Sequence, residues 1–265
     1  MNSQNFRKLL EETDDKLSIF SNAEELNKYE LDVKELLDLI STYLNDEEKL
    51  KLFDYSHFLQ LKSSIKCGIL KQISDENIIL QMLNNDNIAG SLRSYQIIDV
   101  IKNLSDDIKK YILYNKEFIQ KHEIASFELA IIISSLTDEV RTEILMDTNL
   151  IKNTLHLRNF EVAELTKNLL SEDAKCKISK IYKFENHLKI DIIMTLKNNS
   201  KLDILLKNNE FINKYDKIKI LRSLDIETLK KFFLEHKEFF SENDIHPYSI
   251  ILGLNSNQQK EFIAD

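Results

Sequence analysis

Apolar residues fall in short runs that return at a fixed interval along this chain. Residues 102–113, KNLSDDIKKYIL, and residues 134–145, SSLTDEVRTEIL, share one order: leucine, a small hydroxyl residue, two acids, an aliphatic, base-containing positions, then an aliphatic pair. With that leucine as anchor, the motif recurs at Leu44, Ile73, Leu104, Leu136, Leu169 or Leu170, Leu196, Leu224 and Leu254, a mean spacing of 30 residues. Other positions keep the register. Ahead of the anchor stand Ile69-Leu70, Val100-Ile101, Ile132-Ile133, Ile192-Ile193, Ile220-Leu221 and Ile250-Ile251. Behind it stand Leu52-Phe53, Ile112-Leu113, Ile144-Leu145, Ile204-Leu205, Phe232-Phe233 and Phe262-Ile263. One more apolar residue follows each copy: Phe58, Ile88, Phe118, Leu150, Phe184, Phe211 and Phe239. Periods of this length mark repeat architectures.

The register translates into helices. The pair ahead of the anchor, with the anchor itself, gives the three-and-four spacing of one apolar helical stripe. Asn45, Ser74, Ser105, Thr137 and Ser171 follow the anchor and predict N-caps. Acids come next (Asp46-Glu47, Asp75-Glu76, Asp106-Asp107, Asp138-Glu139, Glu172-Asp173), where the helix dipole favours negative charge. The second helix then runs to an Asn or Asp, as at Asn84, Asn115, Asp147 and Asn208, and the apolar residue beyond folds back over the seam between copies.

An antiparallel helix pair of this kind cannot bury its apolar face alone, whereas stacked pairs make one continuous core. The pattern therefore predicts an all-α chain: a right-handed α-solenoid of about seven and a half helix pairs over residues 36–265, after an acidic, off-register helical cap over residues 1–35. This repeat grammar resembles the HEAT/armadillo class of α-solenoids, with a shorter unit. The Trp/Gly/Tyr pattern of tetratricopeptide repeats and the T-P-L-H of ankyrin repeats are missing. The register stops inside the second helix of an eighth unit, which raises the expectation of an N-terminal piece of a longer protein; the alternative is a short soluble end helix.

Composition narrows the function classes. Three glycines (Gly68, Gly90, Gly253) and one proline (Pro247) are too few to build repeated tight turns, which opposes an all-β fold. The formal charge is −8, and residues 1–64 hold 14 acids against 8 bases, so a generic phosphate-backbone binder is disfavoured. Cys67 and Cys176 lie far apart and read as free thiols of a reducing compartment. The start, MNSQNFRKLLEETDDK, lacks a signal peptide's apolar region, and no apolar run is long enough to span a bilayer, so the expectation is a soluble, cytoplasmic protein.

Chemistry is sparse. His57, His122, His156, His187, His236 and His246 show no metal-ligand spacing, and there is no Gly-rich phosphate loop or nucleophile motif. The paired acids sit where capping explains them. No catalytic residue, metal ligand or cofactor is predicted, and the chain reads as a non-enzyme. The HEAT-like class does include alkylpurine DNA glycosylases, similar in size and helix pairing, but these rely on a basic channel with tryptophans. This chain is acidic and has no tryptophan.

Two ladders are candidate surfaces. The first is basic and lies on the second helices: Lys49, Lys51, Lys109, Lys110, Arg141, Lys175, Lys177, Lys201, Lys230, Lys231 and Lys260. Stacking would align these into a ridge facing another protein with an acidic or extended surface. The alternative is pairing with an acid one turn earlier, as Asp106 with Lys110, worth roughly 0.2–0.5 kcal/mol. The second ladder is aromatic, at the start of the first helices: Tyr95, Phe127, Phe160 and Tyr215. Such rings either line a peptide groove or staple their helix against its neighbour. The sequence thus predicts a non-catalytic protein-interaction scaffold, a recognition segment of a larger protein or an inhibitor of a partner, with nucleic-acid binding as the alternative.

Overall fold

The computed structural model describes residues 3–207 and 212–263, and every regular element among them is helical. Asn208 and Phe211, assigned from sequence to a helix end and a repeat seam, lie outside the described residues. No helix among the described residues is long and apolar enough to cross a membrane. The chain divides into two compact units, Met1–Thr137 with Asn153–His156, and Asp138–Lys152 with Leu157–Asp265. The boundary expected at residue 35 falls inside the first.

In the first unit, α1 (Ser3–Glu12), α2 (Lys16–Ser21) and α3 (Ala23–Asn27) gather around buried Phe6, Leu10 and Phe20. The Phe6 ring meets Phe20 edge-on at 5.6 Å and Tyr29 at 4.8 Å. Helix α1 packs on α4 (Val33–Tyr43), with Arg7 and Asp38 paired at 2.7 Å across the contact. There follow α5 (Asp46–Lys51), α6 (Ser56–Leu59), α7 (Ser63–Leu70), α8 (Glu76–Asn84), α9 (Asp86–Ala89), α10 (Ser94–Ile101), α11 (Asp106–Tyr114), α12 (Lys116–Lys121) and α13 (Ser126–Ser134). The first helices of successive copies, α4, α7, α10 and α13, each pack on the next, and α5 packs on α8.

The second unit holds α14 (Asp138–Met146), α15 (Asn159–Lys167), α16 (Glu172–Ile181), α17 (Asn186–Met194), α18 (Asn198–Lys207), α19 (Lys214–Arg222), α20 (Ile226–Glu235), α21 (Lys237–Glu242), α22 (Pro247–Leu252) and α23 (Ser256–Ile263). Its first helices, α15, α17, α19 and α22, again pack each on the next, while α14 packs on α16 and α20 on α23.

The in-register pairs supply the core. Val100, Ile101, Ile112, Leu113, Ile132, Ile133, Ile144 and Leu145 are all buried. Burying one such side chain stabilises by roughly 1.5–3 kcal/mol. The extra apolar residue of each copy does more than fold back: Phe58, Ile88, Phe118 and Phe239 ride on short third helices, α6, α9, α12 and α21, and are buried there. An asparagine makes the join. Asn115 ends α11 and its side chain accepts from the Phe118 amide at 3.0 Å, so one residue stops a helix and caps the next.

Acids at the starts of the second helices bridge copies. Asp46 accepts from the Ser74 and Asp75 amides at 2.7 and 2.9 Å. Glu76 accepts from the Ser105 amide and, at 2.5 Å, its hydroxyl. Asp106 accepts from the Thr137 amide at 2.9 Å and hydroxyl at 2.6 Å. In the second unit, Asp138 accepts from the Leu170 amide at 2.9 Å, and Glu172 from the Lys197 amide and the Ser200 hydroxyl. Each acid therefore satisfies amides at the start of the next copy's second helix, groups that its own copy leaves orphaned.

This changes the predicted caps. Asn45 and Ser171 do cap, accepting from Glu48 and Ala174 amides at 2.9 and 3.2 Å. At Ser105 and Thr137 the hydroxyl donates to the incoming acid instead, and beside Ser74 the cap passes to Asp75, which accepts from the Asn77 amide at 2.8 Å.

Burial opposes ionisation of Asp46 and Asp106, but the amides of Asp75 and Ser74 on the former, and the Thr137 hydroxyl and amide on the latter, outweigh it and hold both carboxyls below their ordinary value. A carboxyl depressed in the folded state contributes stability that is present above its unfolded value of about 4 and is lost as pH falls through the folded value. Asp106→Ala is therefore expected to lower the unfolding free energy at pH 7 by about 1–2 kcal/mol. The difference from the parent should shrink below about pH 4, which denaturant titrations at pH 7 and pH 3 would measure.

Candidate functional site

The structure splits the basic ladder. Lys49, Lys109, Lys175 and Lys201 are 4–5% exposed, so they form no surface ridge. Each amine is directed at the end of the next copy's first helix. Lys49 donates to the Gln72 carbonyl at 2.9 Å and Lys109 to the Ser135 carbonyl at 3.0 Å. Lys175 donates to the Thr195 hydroxyl at 2.9 Å, Lys201 to the Ser223 carbonyl at 3.3 Å, and the Arg141 guanidinium to the Asn168 carbonyl at 3.2 Å. The last carbonyls of a helix lack intrahelical donors and carry the negative end of its dipole, so a cation there is favoured twice over.

Lys49 and Lys109 also pair with an acid of their own helix start, Asp46 at 3.1 Å and Asp106 at 3.6 Å. Asp106 thus pairs with Lys109, one position ahead of the Lys110 expected from sequence; Lys110 is half-buried and also holds a contact within the chain. Burial pushes the Lys175 and Lys201 amines below the ordinary lysine value.

What remains accessible is a remnant. Lys177 and Lys231 are exposed and pair with Asp173 at 2.6 Å and Glu235 at 3.9 Å. Lys110 and Lys230 are half-buried and hold contacts within the chain. Lys51 and Lys260 are exposed.

Two further lysines, unforeseen from their spacing, are buried at the fourth residue of α7 and α19. Lys66 donates to the Ser91 hydroxyl at 2.8 Å, and Lys217 to the Asn243 side chain, each reaching the loop ahead of the next first helix. Of the six histidines, His122 alone is buried, its ring 4.4 Å from that of Phe118. Among the described residues no cluster of His, Cys, Asp or Glu is arranged to hold a metal ion.

The aromatic ladder lies in the open. Tyr95 and Phe127 in the first unit are 58% and 57% exposed; Phe160 and Tyr215 in the second are 46% and 81% exposed. Each is the second residue of its helix, in α10, α13, α15 and α19. In α10, α13 and α15 the third residue turns the other way. Gln96, Glu128 and Glu161 are buried and turn back to accept the backbone amides of Arg93, Ala125 and Arg158 at 3.0, 2.9 and 2.7 Å. In these three helices the second residue is exposed where the third is buried.

The chain matches no protein-family model, no curated protein and no solved structure. Its surface geometry therefore has to carry the functional reading. Two more rings hold the same helix position, His187 in α17 and Tyr248 in α22, both exposed. His187 keeps the nine-residue offset of the ladder and was legible as a ring at that register; Tyr248 was hidden because α22 starts late. In the first unit Phe127 is followed one turn on by Ile131, 45% exposed, and α13 packs on the helix that carries Tyr95, so three apolar side chains sit on adjoining helices. In the second unit the Arg158 guanidinium lies 4.3 Å from the centre of the Phe160 ring while also bonding Glu161 at 2.8 Å. Tyr215, at 81% exposed, has little surface covered by a neighbour.

The division of the basic ladder is measurable. Lys109→Ala leaves the Ser135 carbonyl without its amine and is expected to cost about 1–3 kcal/mol of stability. Lys177→Ala and Lys231→Ala, on exposed pairs, should stay within about 0.5 kcal/mol. Urea midpoints at unchanged slope would separate them.

Proposed function

We propose that the chain is an α-solenoid of helix pairs that serves as a non-catalytic protein-interaction scaffold, and that its contact surface is the aromatic row at the starts of the first helices. The observation that carries this reading is the recurrence of an exposed ring at one helix position: Tyr95 and Phe127 in one unit, Phe160, His187, Tyr215 and Tyr248 in the other. Exposed apolar residues scattered singly need no explanation. Repetition at one register, beside a buried capping residue at Tyr95, Phe127 and Phe160, is not scatter.

Tyrosine and other aromatic side chains supply large contact area with few rotamers to freeze, and they dominate the energetics of protein interfaces. The partner in this reading is an extended segment of another protein that meets one ring per copy within a unit, with modest contacts spread over the copies of that unit. The basic rungs lend this surface little, since the buried lysines are engaged by the chain's own carbonyls. That also weakens the alternative of a nucleic-acid backbone read by a basic ridge.

The test is quantitative affinity capture from native lysate with four proteins: the parent, Tyr95→Ser/Phe127→Ser, Phe160→Ser/Tyr215→Ser, and Lys177→Glu/Lys231→Glu. A partner protein retained by the parent and the lysine variant, and depleted at least about tenfold by either aromatic variant, is the expected result. Equal retention by all four would sink the aromatic surface. Loss of all binding on nuclease treatment or at raised salt would favour the nucleic-acid reading instead.

A further inference from the structure

One copy places a polar residue where the others place an apolar one, buried at Phe53, Leu83, Leu113, Leu145 and Leu205. Eight residues into the second helix the other copies place Phe53, Leu83, Leu113, Leu145, Leu205, Phe233 and Ile263; α16 places Ser179. A serine there removes a large apolar side chain, and a core position emptied in this way loses both transfer energy and contacts around the void. An open-sided pocket of about 380 Å³ lies where α16, α17 and α18 meet, with Ser179 in its lining. The Ser179 hydroxyl is buried and has no hydrogen-bond partner among the described residues, a second destabilising feature at the same spot.

The lining is chemically sorted. Ile192, Ile193 and Ile204 supply an apolar wall. Four lysines line the cavity against one carboxylate, Asp203, on a chain whose formal charge is −8. Lys175 is turned to Thr195 and Lys207 pairs with Asp203 at 2.9 Å, whereas Lys180 has no ion pair among the described residues. Burial pushes the Cys176 thiol up, so that wall adds no negative charge near neutral pH. Mostly apolar concavities of several hundred Å³ with a few convergent polar groups are typical of small-molecule sites.

We propose that this cavity binds an amphipathic organic anion, its apolar body against Ile192, Ile193 and Ile204 and its carboxylate, sulfonate or phosphate at Lys180. The site is separate from the aromatic row and stands or falls independently of it.

The experiment is fluorescence titration of the full chain with 8-anilinonaphthalene-1-sulfonate and with its uncharged analogue N-phenyl-1-naphthylamine. Saturable binding of both dyes by the parent is expected. Ser179→Leu, which narrows the pocket and removes the orphaned hydroxyl, should weaken binding of both while raising the urea midpoint. Lys180→Glu should weaken the sulfonate dye about tenfold and leave the neutral dye unchanged. Absence of saturable binding to the parent overturns the proposal. So does undiminished binding to a folded Ser179→Leu variant, which would move the dye to the exposed rings, or equal weakening of both dyes by Lys180→Glu. Should Ser179→Leu prove less stable than the parent, the contrast between the two dyes in Lys180→Glu decides the matter alone.

Discussion

Every helix leaves amides unsatisfied at its start and carbonyls unsatisfied at its end, and a chain of more than twenty short helices multiplies that demand. The usual remedy at a helix end is a glycine in the left-handed conformation. This chain has three glycines, and none adopts a positive φ. The first helices α13, α17 and α19 end instead at Ser135, Thr195 and Ser223, all in the right-handed region. Their terminal groups are met by Lys109, Lys175 and Lys201 of the preceding copy. At the starts of the second helices the same service comes from Asp46, Glu76, Asp106, Asp138 and Glu172. Each copy is finished by its neighbour.

That dependence joins local sequence to cooperativity. The polar bridges connect residues 20 to 33 positions apart, the reach of one repeat, and the apolar contacts between successive first helices have the same reach. Stability in such an arrangement is close to a sum of unit and nearest-neighbour contributions, and here the nearest-neighbour part is polar as well as apolar. An acid and a base on one helix start, such as Asp106 and Lys109, serve two ends at once: the acid meets the start of the next second helix and the base meets the end of the next first helix. Acid–base pairs that look like ordinary helix-surface salt bridges therefore lie partly inside the structure.

The helical class and the core were legible because apolar spacing is a property of one helix. The pairs Val100-Ile101 and Ile144-Leu145 were placed correctly from periodicity alone, and they are buried. The third helices were not, since α9 and α12 are only a turn or so long and depend on Asn85 and Asn115 acting as stop and start together. The basic ladder misled for a different reason. Lysine on a second helix is indistinguishable, in sequence, from lysine on a solvated face; only the adjoining copy's orphaned carbonyl makes Lys109 an interior residue and leaves Lys177 outside. The aromatic ladder was found by register, but its orientation was not, because register does not show which of two neighbouring residues goes in, as at Gln96, Glu128 and Glu161, which fold back onto the backbone.

These two outcomes are linked. A repeat that spends its charges on its neighbours has few left for recognition, so the surface that differs from plain solvated helix is the one beside the inward-turned caps. In α10, α13 and α15 the third residue goes in to hold the chain's turn, and the second faces solvent. Where that second residue is Ser64, in α7, nothing distinguishes the position; where it is Tyr95, Phe127, Phe160 or Tyr215, a costly exposed ring stands in its place. Ser179 is the reverse case, a polar residue where the packing rule calls for an apolar one. In a repeat protein the copies act as controls for one another. Departures from the shared physics, an aromatic ring outside or a hydroxyl inside, are the positions that stability does not account for, and it is there that binding has to be sought.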